Sequence, residues 1–378
     1  VSPWWQDIPA DRWKGGRSHQ QRKWKDTEKK KEKKKKNNAT QPSQEEEHFR
    51  ERLENLRQRT LTGNDSHHPS DSWGDVMVEK RDDFARICLL NILGFSLSAH
   101  SAKDDHLRSF MEENDVDVMI LPEANVCWHK LHHRDRLHER TFGWFEDIHR
   151  GHAYNFGDDE SDRRQNGGVV ILSRNHSASR VMESGRDVTG LGRWTWVRYR
   201  GQNGIITRIV GCYRPCVPSS TSSSGSVYAQ HQRHFNNAAD DICPREAFIR
   251  DLKTDIQSWL DSGDQLIIGL DANEDMRRGP VSSMLREKGM SEAVMALHGV
   301  NAPPTTDYGS KVIDGIWVSP TLTPTKAGYL ACGEAIPRTD HRCLWFDISY
   351  QNIYGHDLPA MPTFRARRLK LNDPRVVK

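Results

Sequence analysis

The sequence predicts an α+β layered domain over residues 84–350, and three observations carry that prediction. Largely apolar runs recur at 87–93, 116–121, 167–174 and 266–270, the pattern of strands buried on both faces. Residues 194–199 alternate in polarity, and 205–213 follow at hairpin distance. Phe248, Leu252, Ile256 and Leu260 recur at strict i+4 spacing, which predicts a helix over 244–260. Strands joined by both helices and hairpins fit layers packed about one core, large but feasible at this length.

Ahead of that domain, residues 1–83 read as a disordered leader and linker. Between Lys23 and Lys36 nine lysines face only Asp26, Glu28 and Glu32, a block that repels itself and buries nothing. Residues 44–59 carry Phe49, Leu53 and Leu56 on one stripe, enough for a marginal helix. Residues 63–83, rich in Ser, His, Asp and Pro, read as linker.

Within the domain, the first strand (87–93) holds Asn91 among apolar neighbours. Ser101 and Asp104 form a capping-box start for a helix to about Asn114. A second strand ends on Pro122-Glu123. Residues 128–140 are expected to be helical, with His129, His132, His133 and His138 on a solvated face rather than around a metal. Gly167 and Gly168 lead into the next strand, and residues 218–226 form a Ser-rich loop. A short helix near 281–288 follows, then strands over 311–318 and 342–348, then an irregular basic stretch over 351–378.

The chain has 378 residues, a net charge of +3 and a low hydrophobic content of 35%. No run approaches the ~18 apolar residues of a membrane span, and no signal peptide is visible. The seven cysteines are scattered and odd in number, which argues for reduced thiols. Val1 at the start and the basic end predict a segment of a longer polypeptide.

The functional signal is that strand after strand ends on one unusual polar residue. Asn91, Glu123, Tyr213, Asp271 with Asn273, Asp314, and Asp340-His341 occupy such places. Residues i and i+2 of an extended segment share a side, so Asp271 and Asn273 can face one target. Six such ends predict one convergent cleft on a rigid sheet.

In this order the residues resemble the endonuclease/exonuclease/phosphatase superfamily, with its deoxyribonuclease I-like fold. The matching stretches are LLNILG, ILPEAN, NGGVVILSR, CYRPC, IIGLDANED, VIDGIWVS and PRTDHRCLWFDI, spanning about 86–350. The resemblance implies a four-layer α/β/β/α sandwich and a metal-dependent phosphodiester hydrolase. It implies Glu123 as the principal Mg²⁺ ligand (Mn²⁺ as a substitute), with Asn91 at the metal or bonding Glu123 or the phosphate, and Asp340 assisting at the metal or holding the His341 strand. Asp271 would orient and deprotonate water, Asn273 would bond the phosphate or that water, and Tyr213 and His341 would contact the phosphate, His341 being oriented by Asp314. Leu93, Leu270 and Thr339 depart from the family's usual acid, glycine and serine.

The lysine-rich leader and basic trailer further resemble the endonuclease segment of a non-LTR retrotransposon polyprotein. That implies a nuclear enzyme nicking DNA to prime a reverse transcriptase encoded downstream. Positive flanks suit a polyanion, and tryptophans such as Trp128, Trp144, Trp194 and Trp196 offer stacking surfaces. The competing readings are a phosphatase of a small or lipid phosphate, and a catalytically silent nucleic-acid-binding remnant.

Overall fold

In the computed structural model, which describes residues 71–157, 162–217 and 224–356, the apolar runs become the central strands of two sheets. The lysine block, the 44–59 helix and most of the basic trailer lie outside the described residues. One sheet holds β1 (Trp73–Gly74), β2 (Phe84–Leu89), β3 (Val118–Pro122), β4 (Ile148–Ala153), β5 (Val169–Arg174), β12 (Lys326–Tyr329) and β13 (Leu344–Ser349), in the order β1-β12-β13-β2-β3-β5-β4. The other holds β6 (Val181–Arg186), β7 (Trp194–Arg200), β8 (Ile206–Tyr213), β9 (Gln265–Asp271), β10 (Ser291–Glu292) and β11 (Asp314–Val318), in the order β10-β11-β9-β8-β7-β6. Each sheet contains one parallel pair, β2 with β3 connected through one helix and β8 with β9 connected through two.

Alternation along the strands produces the layers. Ile87, Leu89, Val118, Ile120 and Ile171 of the first sheet pack with Val197, Ile209 and Ile267 of the second. The opposite faces of β2, β3 and β5 place Cys88, Met119, Leu121, Val170 and Leu172 against Leu107, Phe110 and Met111 of the helix Ala102–Glu113. On the far side, Phe248, Leu252 and Ile256 of the helix Pro244–Asp261 join the core of the second sheet. This is the expected four-layer arrangement. The capping box also forms, with Ser101 Oγ accepting from Asp104 N and Asp104 Oδ2 accepting from Ser101 N.

Several expectations need correction. Residues 128–140 fold as two short 3₁₀ turns, Trp128–Lys130 and His133–Asp135, followed by the helical turn Leu137–Arg140. Extended backbone at Leu131 and Arg136 breaks the run, and the Arg136 guanidinium, not helical N–H groups, serves the carbonyls of His129 and Leu131. The 63–83 linker contributes Trp73–Gly74, which pairs antiparallel with β12, and buried Lys80, which pairs with Asp115 and Asp117. Residues after 349 begin with the helix Tyr350–Tyr354, whose Tyr350, Ile353 and Tyr354 enter the core. β4 and β6 were not expected: they are edge strands, and polar edges blur apolar patterning. Asn91 lies two residues beyond the end of β2, and Asp314 opens β11, which starts three residues later than the expected 311.

Candidate active site

The site sits where the strand ends of both sheets converge, and two glycines permit the approach. Gly211 and Gly269 are partners across β8 and β9 on the inner face. A Cβ at Gly211 would lie 2.8 Å from Ile120 Cγ2, and one at Gly269 2.6 Å from Ile120 Cδ1. Without side chains there, Ile120 of β3 seats directly against the second sheet, three residues before Glu123.

From this contact the polar residues follow by register. Tyr213, Asp271 and Asp314 occupy one rung across β8, β9 and β11. Beyond β2, Leu90 N and Ile92 N keep donating to Ile120 O and Pro122 O, which carries Asn91 alongside the end of β3. Asn91 is 1% exposed, and its Nδ2 donates to Glu123 Oε2 and to Asp271 Oδ2, both at 2.8 Å. Its Oδ1 accepts from Leu93 N at 2.9 Å, and its main-chain oxygen accepts from the Thr339 hydroxyl at 2.7 Å. Asn91 thus bonds Glu123 as expected, turning its amide nitrogen, a donor, to both carboxylates and its side-chain oxygen to Leu93 N.

Glu123 has a left-handed backbone (φ 58°), as do Asn125, Asn273 and Leu93, a conformation that costs energy in non-glycine residues. Asn125 supports the turn, donating to Glu123 Oε1 at 3.3 Å and accepting from Gly167 N at 2.7 Å. Asp271 Oδ1 accepts from Asn273 N at 3.0 Å. The Asn273 amide donates to Arg214 O at 2.7 Å and accepts from the Cys216 thiol at 3.0 Å, leaving its second amide hydrogen for another acceptor. His341 Nδ1 donates to Asp314 Oδ2 at 2.8 Å. Thr305 Oγ1 fixes the start of β11 by accepting from Ile313 N and Asp314 N. The Asp340 main-chain oxygen accepts from Asp307 N at 2.9 Å, tying down the segment before His341.

The electrostatics follow from burial and crowding. Burial, then the Asp314 charge, push the Asp271 carboxyl up to about 7; Glu123 adds to this, while His341 and Asn91 oppose it. For His341, burial disfavours the cation, but the charge and hydrogen bond of Asp314, with Asp271 and Asp340, push the imidazole up to about 10. Burial, reinforced by Glu123, Cys216 and Asp271, holds the Tyr213 phenol well above its ordinary value, so it stays a donor.

The donor set suits a hard divalent cation. Asp271, Asp314 and His341 each bring one ligand atom to within 4.8 Å of the others, and the Asn91 amide bridges Asp271 to Glu123. Asp314 Oδ1 is buried with no hydrogen-bond partner. The three carboxylates present oxygen, the donor that a hard divalent cation takes, beside an imidazolium whose ring nitrogens donate.

All seven residues expected to be catalytic thus fall in one network of strand ends. Sequence reading overlooked Asn125, Thr305, Cys216 and the role of Thr339. A signal for Asn125 was present: an acid followed two residues later by Asn occurs at 123–125 and again at 271–273. Of the four tryptophans singled out for stacking, Trp128, Trp144 and Trp194 are buried in the cores, and the half-buried Trp196 lies beneath the Arg208 guanidinium.

The model of the Endonuclease/Exonuclease/phosphatase family matches residues 88–341, more than half of the chain. Comparison with curated protein sequences gives no match. Among solved structures, the human Nocturnin catalytic domain with bound sulfate is 16% identical, covering 72% of this chain and 96% of its own, with a TM-score of 0.48. The endonuclease domain of TRAS1, a telomere-specific non-LTR retrotransposon, is 12% identical over 71% of this chain and 99% of its own, with a TM-score of 0.43. The 3′-5′ exonuclease NExo from Neisseria meningitidis is 14% identical over 70% of this chain and 99% of its own, with a TM-score of 0.49.

Proposed function

The chain belongs to the endonuclease/exonuclease/phosphatase family of hydrolases, and from that premise we propose that it is an Mg²⁺-dependent endonuclease that nicks DNA. The observation that carries this reading is the Asn91 amide joining Glu123 to Asp271, beside the Asp314–His341 pair. The choice of DNA rests on the lysine block at 23–36 and the arginines and lysine at 365–370. A nuclear location and a reverse transcriptase downstream in the same polyprotein accompany this reading.

The geometry supports the following division of roles. A carboxyl near pH 7 is matched to accepting a proton from water at neutral pH, which assigns Asp271 as the base. The deprotonated water forms a bond to phosphorus, the P–O3′ bond breaks, and the departing O3′ takes a proton from solvent water, so the strand ends in a 3′-hydroxyl and a 5′-phosphate. His341, held as a cation by Asp314, turns Nε2 toward a phosphoryl oxygen. Tyr213 and the second amide hydrogen of Asn273 add donors for the charge that develops there. Glu123, with Asp340 assisting, would hold Mg²⁺, whose chemistry is to neutralise the phosphate and the departing oxygen.

The test is the purified chain on supercoiled plasmid with Mg²⁺. The expected product is an open circle whose ends a DNA polymerase extends. Hydrolysis of phosphate monoesters without nicking would instead make the chain a phosphatase. Salt-dependent DNA binding without hydrolysis would make it a silent binding module.

A further inference from the structure

Four rings form a stacked column whose outer end faces solvent. His152 lies 6.0 Å from Tyr154 at an interplanar angle of 4°, and Tyr154 lies 3.8 Å from Phe156 at 35°. His129 is 5.6 Å from Tyr154 and 6.3 Å from Phe156, at 26° and 12°. Exposure rises outward, from 4% at Tyr154 to 37% at Phe156, with His129 exposed as well. The exposed Arg186 sets its guanidinium carbon 3.8 Å from the Phe156 ring centroid. Apolar rings held rigidly in water are a cost to the fold and an asset to a binding site, since little ordering entropy remains to be lost.

This column is tied to the catalytic residues from two directions. Gln165, 2% exposed, grips the Asn155 backbone with two amide bonds of 3.0 and 2.8 Å. Gln165 N also donates to the main chain of Asn125, the residue that supports Glu123. From the other direction, Phe156 N donates to Gly190 O at 3.0 Å, and Arg193 O accepts from Tyr213 N at 2.8 Å. Gly192 presses so closely on Tyr154 that a Cβ there would lie 2.5 Å from Tyr154 Cα.

We propose that this column is a nucleobase-stacking subsite for the substrate strand. One base of that strand packs on this outer end, over the Arg186 guanidinium that covers the Phe156 ring and beside the exposed His129. Every base offers a π-face, so such a platform grips the strand without reading its sequence. This inference rests on the chain acting on DNA.

The experiment compares the full chain with its Phe156→Ala variant on duplexes that are intact or lack the base at one position flanking the cut. Phe156→Ala should raise KM about ten-fold on the intact strand, the size of one lost stack, with kcat unchanged. On the strand lacking the stacked base, the variant and the parent should perform alike. Arg186→Ala should raise KM and lower the salt slope by about one. Equal losses on both strands, or no loss on the intact one, would overturn the subsite while leaving the nuclease reading in place. A wild-type chain that cleaves neither strand overturns the nuclease reading, and the subsite with it.

Discussion

Asn91, following a strand of one sheet, donates its side-chain amide at 2.8 Å to Asp271, the last residue of a strand in the other. The same nitrogen serves Glu123, so one neutral residue spaces two carboxylates that would otherwise only repel. Asn91→Ala should lower kcat/KM about 10–100-fold, the usual cost of removing a residue that orients metal ligands and base. It should also raise the Mg²⁺ concentration needed for half-maximal rate. An unchanged Mg²⁺ requirement would show that the bridge is incidental.

Gly211→Ala tests whether the sheets' close approach assembles the site. The new methyl would meet Ile120 Cγ2 at 2.8 Å and Val169 Cγ1 at 2.9 Å. Overpacking of this kind costs about 1–3 kcal/mol, read as a lower unfolding midpoint, and activity should fall alongside it. Gly269→Ala meets chiefly the tip of Ile120, so adding Ile120→Val should recover most of that loss.

Binding of Mg²⁺ should stabilise the fold, because the acid-rich site repels itself without a cation. Thermal midpoints should climb with Mg²⁺ concentration and fall back with chelator. Glu123→Gln and Asp271→Asn should blunt that climb and abolish hydrolysis, with DNA binding retained. A midpoint indifferent to Mg²⁺ would count against the site as a metal centre.

Truncation should respect Lys80 rather than the expected boundary at 84. Lys80 Nζ pairs with Asp117 Oδ2 at 2.5 Å in a buried setting, and Tyr350 donates to the same carboxylate. Deleting residues 1–70 should leave stability unchanged. Deleting 1–83 strands Asp117 without its cation, a loss of about 3–5 kcal/mol for a broken buried pair.

Buried Glu292 should impose a pH dependence on stability. Burial pushes its carboxyl from 4.5 up to about 7, outweighing the N–H groups of Met295 and Ile316 that it accepts. The folded state therefore holds this proton more tightly than the unfolded chain. Its contribution is complete below about pH 4.5 and is lost as pH rises through about 7, roughly 3 kcal/mol in all. In denaturant titrations between pH 5 and 8, Glu292→Gln should show a shallower fall than the parent.

Much of this was legible beforehand where the deciding physics is local. The capping box at Ser101 and Asp104, the i+4 stripe from Phe248 to Ile256, and the 194–213 hairpin depend on neighbours a few residues away, and each formed as expected. The 128–140 segment failed because Trp128, Leu131 and Leu137 are each drawn into the core separately, which overrides a weak helical preference.

The sequence by itself determined which acids, amides and imidazole stand at the strand ends, because an apolar run stopped by a polar residue is written in consecutive letters. Only the tertiary structure decided that the Asn91 nitrogen faces two carboxylates, that a glycine pair admits Ile120, and that His129 stacks on Tyr154 and Phe156. Those relationships join residues from about 25 to 180 positions apart. They are set by inter-strand register and sheet packing, and no local pattern encodes either.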